Sequence, residues 1–314
     1  MINTVTGQIE KRNFGTILMH EHIRCASNDL LHTFGERWLD EKHLAEFAAG
    51  ILKEMKDKYG LGLWVDGTPI DLGRDVSLLK EVSEKSEVYI VASTGLYYFP
   101  SCYTAEHSEA EIASWFIDEF ENGMEGTTIK PGILKCASDG FEVTKDNFKR
   151  LKALAVAQKE TGLPLYVHSA HKGNLVDEQL SILLDIMDDP QKLIIGHTAN
   201  RPDVDYLKRI LDKGCYICMD QCHCTRHSME DIGKTLLKLS KDGYADKILL
   251  SNDLCIYTDF GTRKNTGFHL SIDEQVKKYG HLFNDVYTAF IEAGGSENEF
   301  RKMLCKNAVE ILDI

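Results

Sequence analysis

The chain is poor in proline, has no long apolar run, no basic stretch and no segment of low complexity. Its 6 prolines are scattered over 314 residues and leave no linker, so a single domain over residues 1–314 is expected. No apolar run approaches the ~20 residues that cross a bilayer, so no membrane-spanning helix is expected. Positive charge is in deficit, with 36 Lys and Arg against 49 Asp and Glu and a formal net charge of -13. A broad negative field disfavours nucleic acid and anionic membrane as partners, while leaving room for a local basic pocket that takes a small anion. The opening residues Met1-Ile-Asn-Thr lack a basic segment followed by an apolar one, so no signal peptide and a cytoplasmic location are expected. The 9 cysteines are odd in number and read as reduced thiols, not as a disulfide framework.

What the chain does have is an apolar content of 43% and a regular alternation of two patterns. Eight short runs rich in Ile, Val and Leu predict strands at 16–20, 61–66, 88–94, 132–137, 163–168, 193–197, 215–220 and 247–253. Their near-continuous hydrophobicity suits strands covered on both faces. Between them, apolar residues recur at three- and four-residue steps, predicting helices at 40–59, 71–83, 105–121, 145–161, 175–187, 203–213 and 229–242, with two more at 282–293 and 297–312. The clearest places Leu44, Phe47, Ala48, Ile51, Leu52 and Met55 on one stripe between Asp40 as N-cap and Gly60 as stop. Strand and helix alternate eight times, which predicts an α/β fold, a closed (β/α)8 barrel, over an open doubly wound sheet.

Six chemically capable residues stand at the ends of these strands: His20 and His22, Lys135, His168, His197 and Asp253. A parallel barrel brings such ends to one mouth. On a strand, His20 and His22 share a face and Glu21 points the other way. Gly196, with no side chain, permits a close approach beside His197. Taken singly, His168 and His197 read as structural histidines, and Asp253 as a helix cap; it is the shared position that marks them. Asp253 is also a hard metal ligand and a proton acceptor. Lys135, inside the apolar run Ile133-Leu134-Lys135-Cys136, either pairs with a carboxylate across the barrel or, with its pKa lowered by desolvation, offers a neutral amine that can add carbon dioxide.

These residues sit in a set of motifs: Gly15-Thr-Ile-Leu-Met-His20-Glu-His22, Val65-Asp66-Gly-Thr68 with Gly73-Arg74-Asp75, Ser93-Thr-Gly95-Leu-Tyr97, Lys135, His168, Gly196-His197-Thr198 and Ser251-Asn-Asp253. Over nearly its whole length the chain resembles the phosphotriesterase family of the amidohydrolase superfamily. The resemblance implies a barrel with two divalent metals, bridged by a carboxylated lysine and a hydroxide that attacks the substrate. It implies that His20, His22 and Asp253 hold the buried metal, His168 and His197 the more exposed one, and Lys135 the bridge. Imidazole and carboxylate suit zinc, manganese or cobalt more than calcium. Asp253 would take the proton from the nucleophile and pass it to the leaving oxygen. A homodimer is expected at the family level only.

Within the family the chain looks closest to the lactonases of phosphorylated furanoses, so the expected substrate is a small anionic sugar lactone of the pentono-1,4-lactone 5-phosphate type. Arg263 and Lys264, in Tyr257-Thr-Asp-Phe-Gly-Thr-Arg263-Lys264-Asn265 after the eighth strand, are candidate phosphate contacts; the alternative is a solvated loop with incidental charges. Tyr97, Asn28 and Arg226 are further candidate substrate contacts, and His223 with Arg226 follows the seventh strand towards the mouth. Two departures from the family stand out. Lys306-Asn307-Ala308 replaces an Asn-Pro pair, and Cys215-x-x-Cys218 opens a cysteine-rich stretch that could be read as an extra zinc site. Strand parity puts Cys215 and Cys218 on opposite faces, which favours buried packing. The rivals are a phosphotriesterase proper, an N-acyl-homoserine lactonase-like esterase, a TatD-like nuclease, which would carry glutamate where Lys135 stands, and a non-catalytic ligand-binding barrel.

Overall fold

A computed structural model of the chain describes residues 1–260 and 270–314. A hairpin, β1 (Ile2–Thr4) and β2 (Gly7–Ile9), precedes the main sheet. Nine strands then pair in parallel: β3 (Thr16–Cys25), β4 (Leu61–Asp66), β5 (Tyr89–Gly95), β6 (Ile133–Ser138), β7 (Leu165–Ser169), β8 (Leu193–Ile195), β9 (Tyr216–Met219), β10 (Ile248–Leu250) and β11 (Cys255–Thr258). Consecutive strands are neighbours from β3 to β10, while β11 pairs with β3. β10 and β11 are two halves of one stave. Between them the Asp253 N–H donates to the His20 carbonyl and the His22 N–H to the Leu254 carbonyl, each at 2.9 Å. The expected eight strands thus close into a (β/α)8 barrel, with the eighth broken in two.

Helices follow the strands on the outside, and local chemistry sets their ends. Asp40 caps the helix Glu41–Tyr59, accepting from the His43 N–H at 2.9 Å, and Gly60 ends it at φ 67°. Two boundaries differ from the sequence expectation. The stretch 105–121 divides into Cys102–Glu106 and Glu109–Asn122, because Ser108 and Glu111 form a capping box that starts a new helix. The helix expected from residue 71 begins at Val76, capped by Asp75, after Ile70–Leu72 forms a separate 3-10 turn.

Strand parity divides the core into two clusters. Ile17, Met19, Leu63, Val65, Val91, Ile133, Tyr166, Ile194, Cys218 and Leu249 fill the barrel itself, and Ile2, Phe14, Val309 and Leu312 join them. Their alternates, such as Leu18, Trp64, Ile90, Leu134, Val167, Ile217 and Leu250, pack outwards under the helices. Cys215 belongs to the outer cluster and Cys218 to the inner one, as parity predicts. Each large aliphatic side chain withdrawn from water contributes roughly 1.5–3 kcal/mol, so the filled barrel is a rigid base for its mouth.

A phase shift in β3 is needed for the site. Leu18 pairs with Trp64 and Glu21 with Asp66, so β3 advances three residues while β4 advances two. This bulge changes which side faces in. Below it Ile17 and Met19 point into the barrel; above it His20 reaches the interior residues Lys135, Tyr166 and Asp220. Glu21, on the other face, is fully buried and accepts from the Ser251 hydroxyl and from the backbone N–H groups of Asn252 and Leu254 at 2.7, 2.6 and 2.9 Å. It staples the broken eighth stave to the first.

Candidate metal centre

The structure brings all six expected residues together at the mouth. His20 Nε2 and His22 Nε2 lie 3.6 and 3.2 Å from Asp253 Oδ1. The three residues can offer one ligand atom each within 4.8 Å of one another. His197 Nε2 faces His168 Nδ1 at 2.7 Å, and the His20 and His197 ring centroids are 5.3 Å apart. Lys135 points inward from β6, its Nζ touching His20 Nε2 and sitting 4.4 Å from the centre of the Tyr166 ring. Gly196 makes room for that ring, since a Cβ on it would lie 2.4 Å from the tyrosine.

Three of the four imidazoles are aimed by a partner on their other side. Asp220, wholly buried at the end of β9, receives His20 Nδ1 at 2.9 Å, His197 Nδ1 at 3.0 Å, the His197 backbone N–H at 2.7 Å and the Tyr166 hydroxyl. A carboxylate only accepts, so both rings carry a proton on Nδ1 and leave Nε2 with a free lone pair. Thr68 Oγ1 meets His22 Nδ1 at 2.8 Å and leaves that ring's Nε2 directed at Asp253. Such outer partners hold metal-ligating histidines in one tautomer and orientation.

Burial sets the charge states. It pulls His20 down to about 3, helped by the Lys135 charge, and holds His168 well below the usual imidazole range, helped by His197 and Lys135. Neutral rings with free lone pairs are what a divalent cation binds; His22 differs, because burial opposes its charge but Cys255 and Asp253 outweigh it and raise it to about 9, so a cation there displaces a proton. Burial also lowers the pKa of Lys135. Its Nζ forms no ion pair with a carboxylate among the described residues, so the cross-barrel salt bridge that the sequence left open is not formed. Asp253 stays well below the ordinary carboxylate range: burial opposes its charge, but the facing His20 and His197 outweigh it. A carboxylate, four imidazoles with outer partners on most, and a desolvated amine make a donor set that fits divalent cations of the zinc, manganese or cobalt type better than calcium.

The rim divides into ordered and open parts. Tyr97 follows β5, with its hydroxyl 3.5 Å from His168 Nδ1. Its backbone is clamped on both sides, the N–H by Asp71 at 2.6 Å and the carbonyl by Arg150 at 2.5 Å. Burial raises its phenol pKa far above the usual value, so the hydroxyl keeps its proton and can donate. Tyr98, Phe99 and Phe260 extend an aromatic wall from it, with neighbouring centroids 4.4 to 5.4 Å apart. Asn28 is exposed at the start of a short helix that follows β3, with its amide 3.4 Å from the Ile70 carbonyl. Arg226 is exposed in the segment after β9. Arg263 and Lys264 lie outside the described residues.

Reading the sequence by strand ends missed Asp220, Thr68 and Tyr166. Asp220 carries the same signal as Asp253, a carboxylate closing an apolar strand, and shares the inward parity of Cys218. Thr68 stood in a quoted motif without a role, and nothing in the sequence distinguished Tyr166 from a packing residue. Among the described residues no helix is long and apolar enough to cross a membrane.

Comparison with known proteins gives the family. The model of the phosphotriesterase family matches residues 1–312. An aryldialkylphosphatase of Saccharolobus solfataricus is 34% identical over 82% of this chain and 82% of its own. A phosphotriesterase homology protein of Mycobacterium tuberculosis is 30% identical over 99% of this chain and 97% of its own. An N-acetyltaurine hydrolase of Mus musculus is 25% identical over 98% and 96%.

Proposed function

The chain belongs to the phosphotriesterase family and is a metal-dependent hydrolase, and on that premise we propose that it opens the ring of a phosphorylated sugar lactone. Members of the family bind a binuclear divalent metal centre. In this chain His20, His22 and Asp253 would hold one ion, His168 and His197 the other, and Lys135 would bridge them as a carbamate. Zinc is the first choice by donor type, manganese or cobalt the alternatives. When bound, such a pair acidifies water and polarises the electrophile's oxygen.

The observation that supports the bridge is the isolation of Lys135. An amine buried to 1% exposure, against imidazole and an aromatic ring, is disfavoured as an ammonium. As a neutral amine it adds to carbon dioxide, forming a C–N bond and releasing one proton to solvent, and becomes an anion with two ligand oxygens. The oxygen of the attacking water forms a bond to the lactone carbonyl carbon as Asp253 accepts its proton. The carbonyl carbon–ring oxygen bond then breaks, and Asp253 returns the proton to that leaving oxygen. Tyr97 donates from its protonated hydroxyl to the substrate. The aromatic wall offers flat apolar faces to a furanose ring, and Arg226, Arg263, Lys264 and Asn28 are the candidate contacts for the phosphate and hydroxyls. The nine free thiols support a cytoplasmic location, and a homodimer completes the proposal, to be read by light scattering.

The test is a substrate panel followed by proton release and by product detection. It contains a pentono-1,4-lactone 5-phosphate, the same lactone without phosphate, an N-acyl-homoserine lactone, an aryl dialkyl phosphate and N-acetyltaurine. The proposal expects the phosphorylated lactone to have the highest kcat/KM, by at least about tenfold over its phosphate-free form, the scale of about 1.4 kcal/mol. Equal values for the two lactones, or a higher one for any other compound, would overturn it and direct attention to that substrate.

A further inference from the structure

Four residues other than glycine adopt left-handed backbone just past strand ends around the site: His171 at φ 52°, whose ring is held by the Gly196 carbonyl and the Tyr206 hydroxyl, His197 at φ 61°, Gln221 at φ 59° and Asp253 at φ 58°. Such strain costs about 1–3 kcal/mol and persists only where the surroundings over-determine it. His197 and Asp253 carry proposed roles in the metal centre. Gln221 carries none, although it is tied as firmly. Its N–H donates to the Asn252 carbonyl at 3.1 Å, and its carbonyl accepts from the Cys224 and Thr225 N–H groups, both at 3.1 Å. Its backbone therefore bridges the seventh and eighth staves beside the site.

The side chain gives that rigidity a purpose. Gln221 Nε2 donates to Asp253 Oδ2 at 2.6 Å. The other oxygen, Oδ1, is the one 3.2 Å from His22 Nε2 and 3.6 Å from His20 Nε2. A carboxylate can only accept, so the amide must present its NH2 to Asp253. Its Oε1 is occupied by Asn200 Nδ2 at 2.5 Å, which secures that orientation. We propose that Gln221, held by Asn200, is a positioning residue that fixes the rotation of the Asp253 carboxylate, directing Oδ1 to the histidines and setting Oδ2 aside for the proton.

The inference rests on the role of Asp253 as proton acceptor. An amide neither gains nor loses a proton near neutral pH, so Gln221 steers the carboxylate and carries nothing onward. The proton taken from the attacking water stays on Asp253 until the leaving oxygen accepts it, as the bond to that oxygen breaks. Oδ2 keeps a second lone pair for this while hydrogen-bonded to the amide.

The test uses the full chain loaded with metal, on whichever compound of the panel the unaltered protein turns over fastest. Gln221→Met keeps the length of the side chain and removes the donor; Gln221→Glu places a second carboxylate against the first. Losing an outer partner of a metal site costs about 10–100-fold. The expected result for Gln221→Met is a kcat lower by about that factor, with KM within about twofold and metal content unchanged by mass spectrometry. Gln221→Glu should fall further, and Asn200→Ala should lower kcat less, in the same pattern. Asp253→Asn separates the two levels. If it retains turnover, the role given to Asp253 falls; if it is inactive while Gln221→Met keeps full kcat, only the present inference falls. A raised KM at constant kcat would make Gln221 a substrate contact, and loss of metal would make it scaffold; either overturns the proposal. Should Gln221→Met fail to fold, Asn200→Ala at the exposed end of the pair supplies the deciding measurement.

Discussion

The two ends of this barrel are built on opposite rules. The lower interior is dry: Ile17, Leu63, Val91, Ile133, Ile194 and Leu249 meet with no polar group among them. The mouth, two to four residues further along the same strands, gathers four imidazoles, a lysine and the carboxylates of Glu21, Asp220 and Asp253, with only His168 and Asp253 partly exposed. The lower end follows strand parity except at its edge, where a register shift at Thr16 and Ile17 leaves Leu61 in the outer cluster. The mouth departs from it further, by a bulge in β3, a break in the eighth stave and left-handed backbone past four strand ends. The lesson is that stability and chemistry are segregated along the strand axis. The close-packed base provides the free energy that lets the mouth hold charged, strained groups in place.

Substitutions at the two ends should separate these roles. The largest effect is expected from Lys135→Met at the mouth: turnover lower by about 1000-fold or more, the scale of losing a key electrostatic group in a catalytic site. The melting temperature of the metal-free protein should hold or rise, because a buried amine with only the His20 ring to bond among the described residues is replaced by an apolar chain of similar volume. A variant that kept both activity and metals would break the comparison at its centre. Leu63→Ala in the base should do the reverse, costing about 3 kcal/mol in denaturant unfolding through an unfilled cavity, while metal content and kcat of the folded protein stay unchanged.

Smaller changes sharpen the picture of the mouth. Asp220→Asn should weaken both metal positions together by about 10–100-fold, because one carboxylate aims His20 and His197 at once. Competitive titration with a chelator reads this, and a loss confined to one of the two metals would contradict the shared role. Thr68→Val touches only His22 and should weaken one position by about tenfold, leaving the other as it was.

Much of the barrel was legible in the sequence because it depends on local pattern. Period-two and period-3.6 hydrophobicity mark strands and helices directly, and Asp40 and Gly60 bound a helix by capping chemistry alone. The six residues of the candidate centre were legible because each ends an apolar run, and a parallel barrel converts that shared position into proximity. Helix divisions such as the one at Ser108 were less visible, since a capping box inside a continuous apolar period competes with the period itself.

By itself the sequence determined the order of the eight barrel staves, though neither the leading hairpin nor the break in the eighth, the face each apolar residue takes within a regular strand, and the kinds of donor atom available at the strand ends. Tertiary structure alone decided the rest: the bulge that turns His20 inward, the sharing of Asp220 by two histidines, and the grip of Gln221 on Asp253. Those contacts join residues 23 to 200 positions apart. They depend on register between staves and on backbone dihedrals at their ends, which no short stretch of chain encodes, because each is fixed only when the neighbouring strand is already in place.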